Sequence, residues 1–192
     1  MKDNYSAQRI LPTVLCQAVQ RQIDAAKETV LIADGGEFGQ WAQACLTAPV
    51  RVINGPSGAI GGGFCYGIAA KMARPDATVF SMMGDGTCGF HFSEFETAIR
   101  CNAPFVAVVG HDARWNAEHQ IQLRDYGPDR LIGCQLNETR YDLAAEGLGC
   151  HGEYVTDPGD LDGALDRAIK SGLPACVNVV IEGLPAPSAD AC

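Results

Sequence analysis

The stretch MMGDGTCGF, residues 82–90, decides the fold. It closes an apolar run that begins at Ala77 and contains only one threonine and one serine, a pattern typical of a strand buried on both faces. The run stops at Gly84-Asp85-Gly86, so a carboxylate between two glycines directly follows a core strand. Because a buried charge is costly unless it is compensated, this position indicates a partner for Asp85.

Outward from this stretch, apolar strand-like runs alternate with segments of helical periodicity. The sequence predicts strands at 29–34, 50–54, 77–83, 105–110, 151–155 and 175–181. It predicts helices at 8–27, 38–46, 61–73, around 92–99, at 115–123, from 137 or 139 to 148, and from 157 onward. A capping box, Ser93-x-x-Glu96, is expected to open the fourth of these helices. The alternation predicts an α/β fold: one domain, 1–192, with a parallel sheet of about six strands, helices on both faces and a loose tail at 184–192.

Composition limits the possible partners. The net charge is −9 and no Lys/Arg stripe is present, which argues against nucleic acid and an anionic membrane. The N-terminus lacks an apolar signal core and no run is long enough to span a bilayer, so a cytoplasmic location is expected. The nine cysteines include no C-x-x-C pair and most lie in apolar runs, which favours reduced core thiols over a zinc site or a disulfide framework.

A second carboxylate follows the next strand, at Gly110-His111-Asp112. A single helix joins the two strands, so a right-handed crossover places Asp85 and Asp112 on the same rim of the sheet. Two carboxylates that meet there repel unless a cation lies between them, and Mg²⁺ or Ca²⁺ suits an all-oxygen site. Mg²⁺ commonly shares such a site with phosphate oxygens, so the sequence predicts a divalent ion holding a diphosphate. An isolated G-D-G is also a common structural turn.

The segment GDGTCGFHFSEFETAIRCNAPFVAVVGHDARWN, residues 84–116, resembles the thiamine-diphosphate signature of acetolactate synthases, benzaldehyde lyase and 2-hydroxyacyl-CoA lyases. The stretch EFETAIR (94–100) and the following Pro104 strengthen the likeness, which extends from about Val30 to Glu182. The resemblance implies the C-terminal domain that binds the diphosphate end of the cofactor.

The resemblance implies a magnesium site with two side-chain ligands, Asp85 and Asp112, and the carbonyl of Arg114 as a third ligand. Many relatives have Asn where Asp112 stands. The extra charge is expected to tighten metal binding and to oppose the diphosphate slightly.

The resemblance also implies a set of cofactor-binding residues. These are Gly35, Gly36, Glu37, Phe38, Gly58, Ala59, Ile60, Gly84, Gly86, Thr87 and Asp112. Gly86 and Thr87 are expected to donate to phosphate oxygens, and Ile60 to bend the cofactor, although Ile60 could also be simple core. Glu37 departs from the Gln of acetolactate synthases, and it could be only a helix N-terminal charge. The segment Ser57–Gly61 is expected to lie under the aminopyrimidine, with the Gly58 carbonyl accepting from its amino group.

Three residues after the metal turn are candidates for the substrate cleft: Trp115, His119 and Gln122. Each could instead be solvated or serve packing. His111 is expected to be a structural turn residue, with a proton-shuttle role as the alternative.

The resemblance implies an enzyme acting on 2-oxo acids or acyloins, and decarboxylation with carboligation is favoured. The alternatives are a simple decarboxylase subunit of the sulfopyruvate or phosphonopyruvate type and a non-catalytic nucleotide- or metal-binding module. No iron–sulfur cysteine pattern is present, which argues against a 2-oxoacid:ferredoxin oxidoreductase subunit. Relatives carry an N-terminal pyrimidine-binding domain with a catalytic glutamate. We expect this chain to be the small subunit of a split enzyme whose larger subunit supplies that domain.

Overall fold

The computed structural model describes residues 9–54 and 58–187. The strands are β1 (Thr29–Ala33), β2 (Val50–Ile53), β3 (Thr78–Gly84), β4 (Val106–His111), β5 (His151–Val155) and β6 (Ala175–Val180). The helices are α1 (Pro12–Ala25), α2 (Gly36–Cys45), α3 (Gly63–Ala73), α4 (Asp85–Cys88), α5 (Glu94–Arg100), α6 (Asn116–Tyr126), α7 (Tyr141–Gly147) and α8 (Leu161–Lys170), with 3₁₀ turns at Pro128–Arg130 and Pro158–Asp160.

The six strands form one parallel sheet in the order β2-β1-β3-β4-β6-β5. This confirms the predicted α/β class. β3 and β4 are direct neighbours, and Gly84 stands opposite Gly110 in their register. Asp85 and Asp112 therefore leave the sheet at the same rim, as the crossover argument predicts.

Helices cover both faces of the sheet, and each face has its own apolar core. On one face Leu15 of α1, Phe38 of α2 and Leu165 of α8 pack against the sheet. On the other face the core includes Phe64 of α3 and Phe95 of α5, whose ring centroids are 4.8 Å apart. Alternate strand residues enter the two cores, which explains why the strands read as nearly continuous apolar runs.

One predicted helix cap and one predicted helix start are wrong. Ser93 has helical backbone angles and its side chain caps nothing, so the capping box does not form. α7 begins at Tyr141, after both proposed cap residues, because the Thr139 carbonyl accepts a hydrogen bond from a buried asparagine of β6. The turn expected after β3 is instead the short helix α4, which begins at Asp85 itself.

All eight cysteines in the described residues are free, and Cys192 lies outside them. Five are buried, as predicted for core thiols, and three are exposed: Cys45, Cys65 and Cys101. Across 9–54 and 58–187 we find no group of three or more His, Cys, Asp or Glu residues arranged to hold a metal. In the same ranges no helix combines the length and the apolarity that crossing a membrane requires.

Candidate functional site

A cleft of about 270 Å³ opens at the carboxyl ends of β1, β3 and β4. The predicted site residues that line it are Gly35, Gly36, Glu37, Phe38, Gly58, Ile60, Gly84, Asp85, Gly86, Thr87, Asp112, Arg114 and Trp115. Sequence reasoning missed Gln40, Gln43, Asn54, Gly110, Asn116, Ala117 and Glu118, which also line it. Three predicted residues are not among the lining residues: Ala59, His119 and Gln122.

The position of the cleft follows from the strand order. β2 lies on one side of β1 and β3 on the other. The successive connections therefore reverse their direction across the sheet between β1 and β3. Ligands of open parallel sheets bind at such switch points, outside the carboxyl ends of the strands. The glycine-rich segments that follow β1, β2 and β3 therefore lie at the position in the sheet where a ligand is expected.

The start of α2 forms one wall of the cleft. No side chain caps this helix, and the N–H groups of a first helical turn have no partners within the helix. Gly36 has a φ of +79°, a conformation that favours glycine, and a Cβ atom there would lie 3.2 Å from the Thr87 hydroxyl. The starts of α2 and α4 thus approach closely, and both present backbone N–H groups suited to an anion.

The buried side chain of Asp34 holds this wall of the cleft together through hydrogen bonds. It is fully buried, and its Oδ1 accepts from the N–H groups of Gly35 at 2.7 Å and Gly61 at 3.1 Å. Its Oδ2 accepts from the Gly63 N–H at 2.6 Å. One carboxylate therefore joins the turn after β1 to the glycine-rich segment before α3. In the sequence, Asp34 stood out only as the last residue of a predicted strand. The signal for its role was a carboxylate at the end of a strand that is apolar apart from Thr29.

Ile60 lies on the opposite side of that wall, within the glycine-rich segment. Its side chain packs so closely on Gly35 that a Cβ atom there would collide with it. Ile60 is half-buried and lines the cleft, whereas the neighbouring Ala59 is exposed. Ser57, the first residue predicted for this segment, lies outside the described residues.

The two rim carboxylates are both buried and have few partners. Asp85 Oδ1 accepts from the Gly86 N–H at 2.9 Å, while its Oδ2 is buried with no hydrogen-bond partner among the described residues. Asp112 Oδ1 accepts from the Arg114 N–H at 3.1 Å. Burial raises the pKa of Asp85, and the nearby His111 opposes this rise. Burial, followed by the Asp85 charge, raises the pKa of Asp112 to about 7, with Arg114 opposing.

The raised pKa values of both carboxyl groups indicate that the site lacks enough positive charge to stabilise two carboxylates. Because buried polar atoms are nearly always paired, the free Oδ2 of Asp85 beside a second carboxylate fits a hard divalent cation such as Mg²⁺. The residues present therefore suit the predicted ion.

The backbone after Asp112 leaves the carbonyl of Arg114 outside the hydrogen bonds of the bridge that follows. Arg114 and Gln135 form an isolated antiparallel bridge, flanked by the bonds from Trp115 N–H to Cys134 O and from Leu136 N–H to Ala113 O, both 2.8 Å. In a pair flanked in this way, the carbonyl of Arg114 turns away from Gln135. Ala113 has a φ of +60°, an uncommon conformation for a non-glycine residue, and it sits between two of the predicted metal ligands.

Of the three substrate-cleft candidates only Trp115 lines the cleft. Its ring covers Gly86, where a Cβ atom would lie 2.7 Å away, and meets Phe90 edge-on with centroids 5.8 Å apart. Gln122 instead bonds the backbone of Ile132 through both its amide atoms, which fastens the loop after α6. Burial, and then Arg114, lower the pKa of the His119 ring, which lies on α6 outside the cleft lining.

The segment after β6 passes beside the cleft. The Leu184 carbonyl accepts from the Trp41 indole at 3.2 Å, and the Ala186 N–H donates to Glu37 Oε1 at 2.5 Å. The described part of the tail, 184–187, is thus hydrogen-bonded to α2, while 188–192 lie outside the described residues. Glu37 has a partner within the chain, so its role is not limited to that of a helix N-terminal charge.

The fold and the cleft together define a class: a parallel α/β domain with a cleft at the switch point of its sheet. Residues 34–179 match the family described as thiamine pyrophosphate enzyme, C-terminal TPP binding domain, and the chain belongs to that family. The binding of thiamine diphosphate predicted from the sequence is thereby supported at the level of the family.

Curated relatives agree with this family. The chain is 36% identical over 159 residues to a probable acetolactate synthase of Mycobacterium bovis, a match that covers 81% of this chain and 29% of the relative. The acetolactate synthase large subunit IlvG of Mycobacterium tuberculosis gives the same figures. Human 2-hydroxyacyl-CoA lyase 2 is 31% identical over 188 residues, covering 91% of this chain and 28% of the relative. The chain therefore spans less than a third of the length of these relatives.

Proposed function

We propose that this chain binds the diphosphate end of thiamine diphosphate through Mg²⁺. Asp85, Asp112 and the carbonyl of Arg114 hold the ion. The observation that carries the proposal is the buried Oδ2 of Asp85, which has no hydrogen-bond partner among the described residues. It lies at the same rim of the sheet as Asp112, which follows the end of β4. The family match supports the cofactor, and the donor set supports the ion.

The remaining lining residues bind and orient the cofactor. The first-turn N–H groups of α2 and those of Gly86 and Thr87 donate to the phosphate oxygens. Ile60 supports the bend between the two rings, and the Gly58 carbonyl accepts from the pyrimidine amino group. When bound, thiamine diphosphate supplies a nucleophilic carbon and an electron sink for cleaving bonds next to a carbonyl.

The reaction we propose is decarboxylation of a 2-oxo acid followed by carboligation, in a cytoplasmic enzyme. The names of the relatives favour this reading, since acetolactate synthase and 2-hydroxyacyl-CoA lyase both denote carbon–carbon bond chemistry. A simple 2-oxo acid decarboxylase is the alternative. Product analysis separates the two, because carboligation yields a 2-hydroxy ketone and simple decarboxylation an aldehyde.

We further propose that a separate, larger subunit supplies the pyrimidine-binding domain and its catalytic glutamate. The matched relatives are more than three times as long as the region they share with this chain, which supports a requirement for further domains or subunits. Without the glutamate, general acid–base help of about 10²–10⁴-fold is lost. Native mass spectrometry of protein purified from its source should show a heteromer, whereas robust turnover by this chain alone would contradict the subunit hypothesis.

The cofactor proposal is tested by calorimetry on the assembled protein with thiamine diphosphate, with and without Mg²⁺. We expect Mg²⁺-dependent binding that Asp85→Ala and Asp112→Ala each abolish with the fold intact. Asp166→Ala is the matched control, because Asp166 is an exposed carboxylate paired with Lys170 on α8, away from the cleft. Near-wild-type affinity in either rim variant removes that residue from the site. Binding of nucleotides but not of thiamine diphosphate favours a non-catalytic module.

A further inference from the structure

A polar side chain interrupts the apolar strand β6. Asn178 is fully buried within the sequence ACVNVV. A buried amide group left without partners is costly, so its hydrogen bonds indicate what it serves. Both atoms of the Asn178 amide have hydrogen-bond partners, and one of these partners, His111, lies next to Asp85.

The partners of Asn178 fix the orientation of its amide. Its Nδ2 donates to the Thr139 carbonyl at 3.1 Å and to Asp142 Oδ1 at 3.4 Å, both of which can only accept. Its Oδ1 therefore faces His111, 3.1 Å from Nδ1, and that ring nitrogen carries the hydrogen. Asp142 is in turn paired with Arg140 at 2.6 Å.

The other edge of the His111 ring lies against Asp85. His111 Nε2 is 3.8 Å from Asp85 Oδ2, and both atoms are buried without a hydrogen-bond partner among the described residues. The Tyr141 hydroxyl donates to the Asp85 carbonyl at 3.1 Å. The main chain of Asp85 is thus held by Tyr141, while the imidazole ring limits where its free oxygen can move.

We propose that Asn178 and His111 are positioning residues for Asp85: the amide fixes the plane of the imidazole, and the ring holds Oδ2 in the direction of the ion. The inference rests on the proposed function and adds to it two residues that do not line the cleft. Residues that orient metal ligands typically contribute 10–100-fold to metal affinity. The arrangement also gives a reason for a buried asparagine in the middle of a core strand.

The test measures Mn²⁺ affinity by electron paramagnetic resonance in the presence of thiamine diphosphate. Asn178→Leu removes the amide at similar volume, and His111→Phe keeps a ring but removes the hydrogen bond to Asn178. Both are expected to weaken Mn²⁺ binding 10–100-fold. Val177→Ala is the matched control, because it opens a cavity at the adjacent fully buried position of β6 and is expected to lower stability without changing Mn²⁺ affinity.

The outcomes separate this inference from the proposed function. If the wild-type chain binds Mn²⁺ with the cofactor and both variants bind it equally well, the positioning role is refuted. A loss of affinity in Val177→Ala as large as in the variants also refutes it, because general destabilisation then explains the effect. If the assembled wild-type protein binds no Mn²⁺, the proposed function itself fails. If Asn178→Leu does not fold, the Mn²⁺ affinity of His111→Phe alone tests the positioning role.

Discussion

Replacing Asp112 by Asn tests the electrostatics of the rim directly. In the ion-free chain the pKa of Asp112 is raised from 3.8 to about 7, mainly by burial and then by Asp85. Each pKa unit corresponds to about 1.4 kcal/mol, so full ionisation of this carboxyl in the folded state costs on the order of 4 kcal/mol relative to the unfolded chain. Asn keeps an oxygen ligand and removes this charge.

The sign follows from proton binding. Because the pKa of Asp112 is higher in the folded chain, the folded state binds more protons between about pH 4 and pH 7, and wild-type stability falls as pH rises through that window. Asp112→Asn lacks this dependence. We expect the variant to gain little at pH 4 and up to about 4 kcal/mol above pH 7.

The assay is urea unfolding in EDTA at a series of pH values, for wild type, Asp112→Asn and the control Asp166→Asn. Mg²⁺ with thiamine diphosphate should restore wild-type stability most at pH 8, where the carboxyl is ionised. A constant difference between wild type and variant across pH, or a less stable variant at pH 8, refutes the reasoning. A similar pH-dependent gain in Asp166→Asn assigns the effect to overall charge instead.

Three further changes give distinct outcomes. Ile60→Ala should lower turnover of the assembled enzyme far more than cofactor affinity, because misplacement by about 1 Å can cost on the order of a hundredfold in rate; full activity in steady-state kinetics would make Ile60 ordinary core. Asp34→Ala should destabilise the chain by about 3–5 kcal/mol in urea unfolding, because it leaves the three buried N–H groups of Gly35, Gly61 and Gly63 without their acceptor; a loss below about 1 kcal/mol would contradict the organising role of this carboxylate. Thr29→Val should be neutral or stabilising in the same measurement, because the Thr29 hydroxyl is buried without a hydrogen-bond partner among the described residues, and a clear loss of stability would reveal a partner for it.

The sequence predicted those parts of the fold that depend on periodicity and on chain order. All six strands were expected within two residues of their observed ends. Four of them, β1, β3, β4 and β6, are largely buried apolar runs, which makes them easy to recognise. The meeting of Asp85 and Asp112 followed from the crossover rule alone. Most of the predicted cleft lining was implied by the resemblance to the thiamine-diphosphate family rather than by periodicity or chain order.

What the sequence could not supply depends on side-chain orientation and on distant contacts. Ser93 matches the capping pattern, but its backbone is already helical, so the cap does not form. Gln122 has the chemistry of a cleft residue, yet the loop at Ile132 takes both its amide atoms. Asn178 reads as a polar interruption of a strand, and only the folded sheet brings it against His111.

The most direct test of the central claim is to locate the metal by anomalous scattering, in crystals grown with Mn²⁺ and thiamine diphosphate. The account predicts one Mn²⁺ site bound by Asp85, Asp112 and the Arg114 carbonyl. It further predicts that the diphosphate lies against the first turn of α2. An ion bound elsewhere while both carboxylates remain free of it, or a cofactor outside this cleft, would contradict the account.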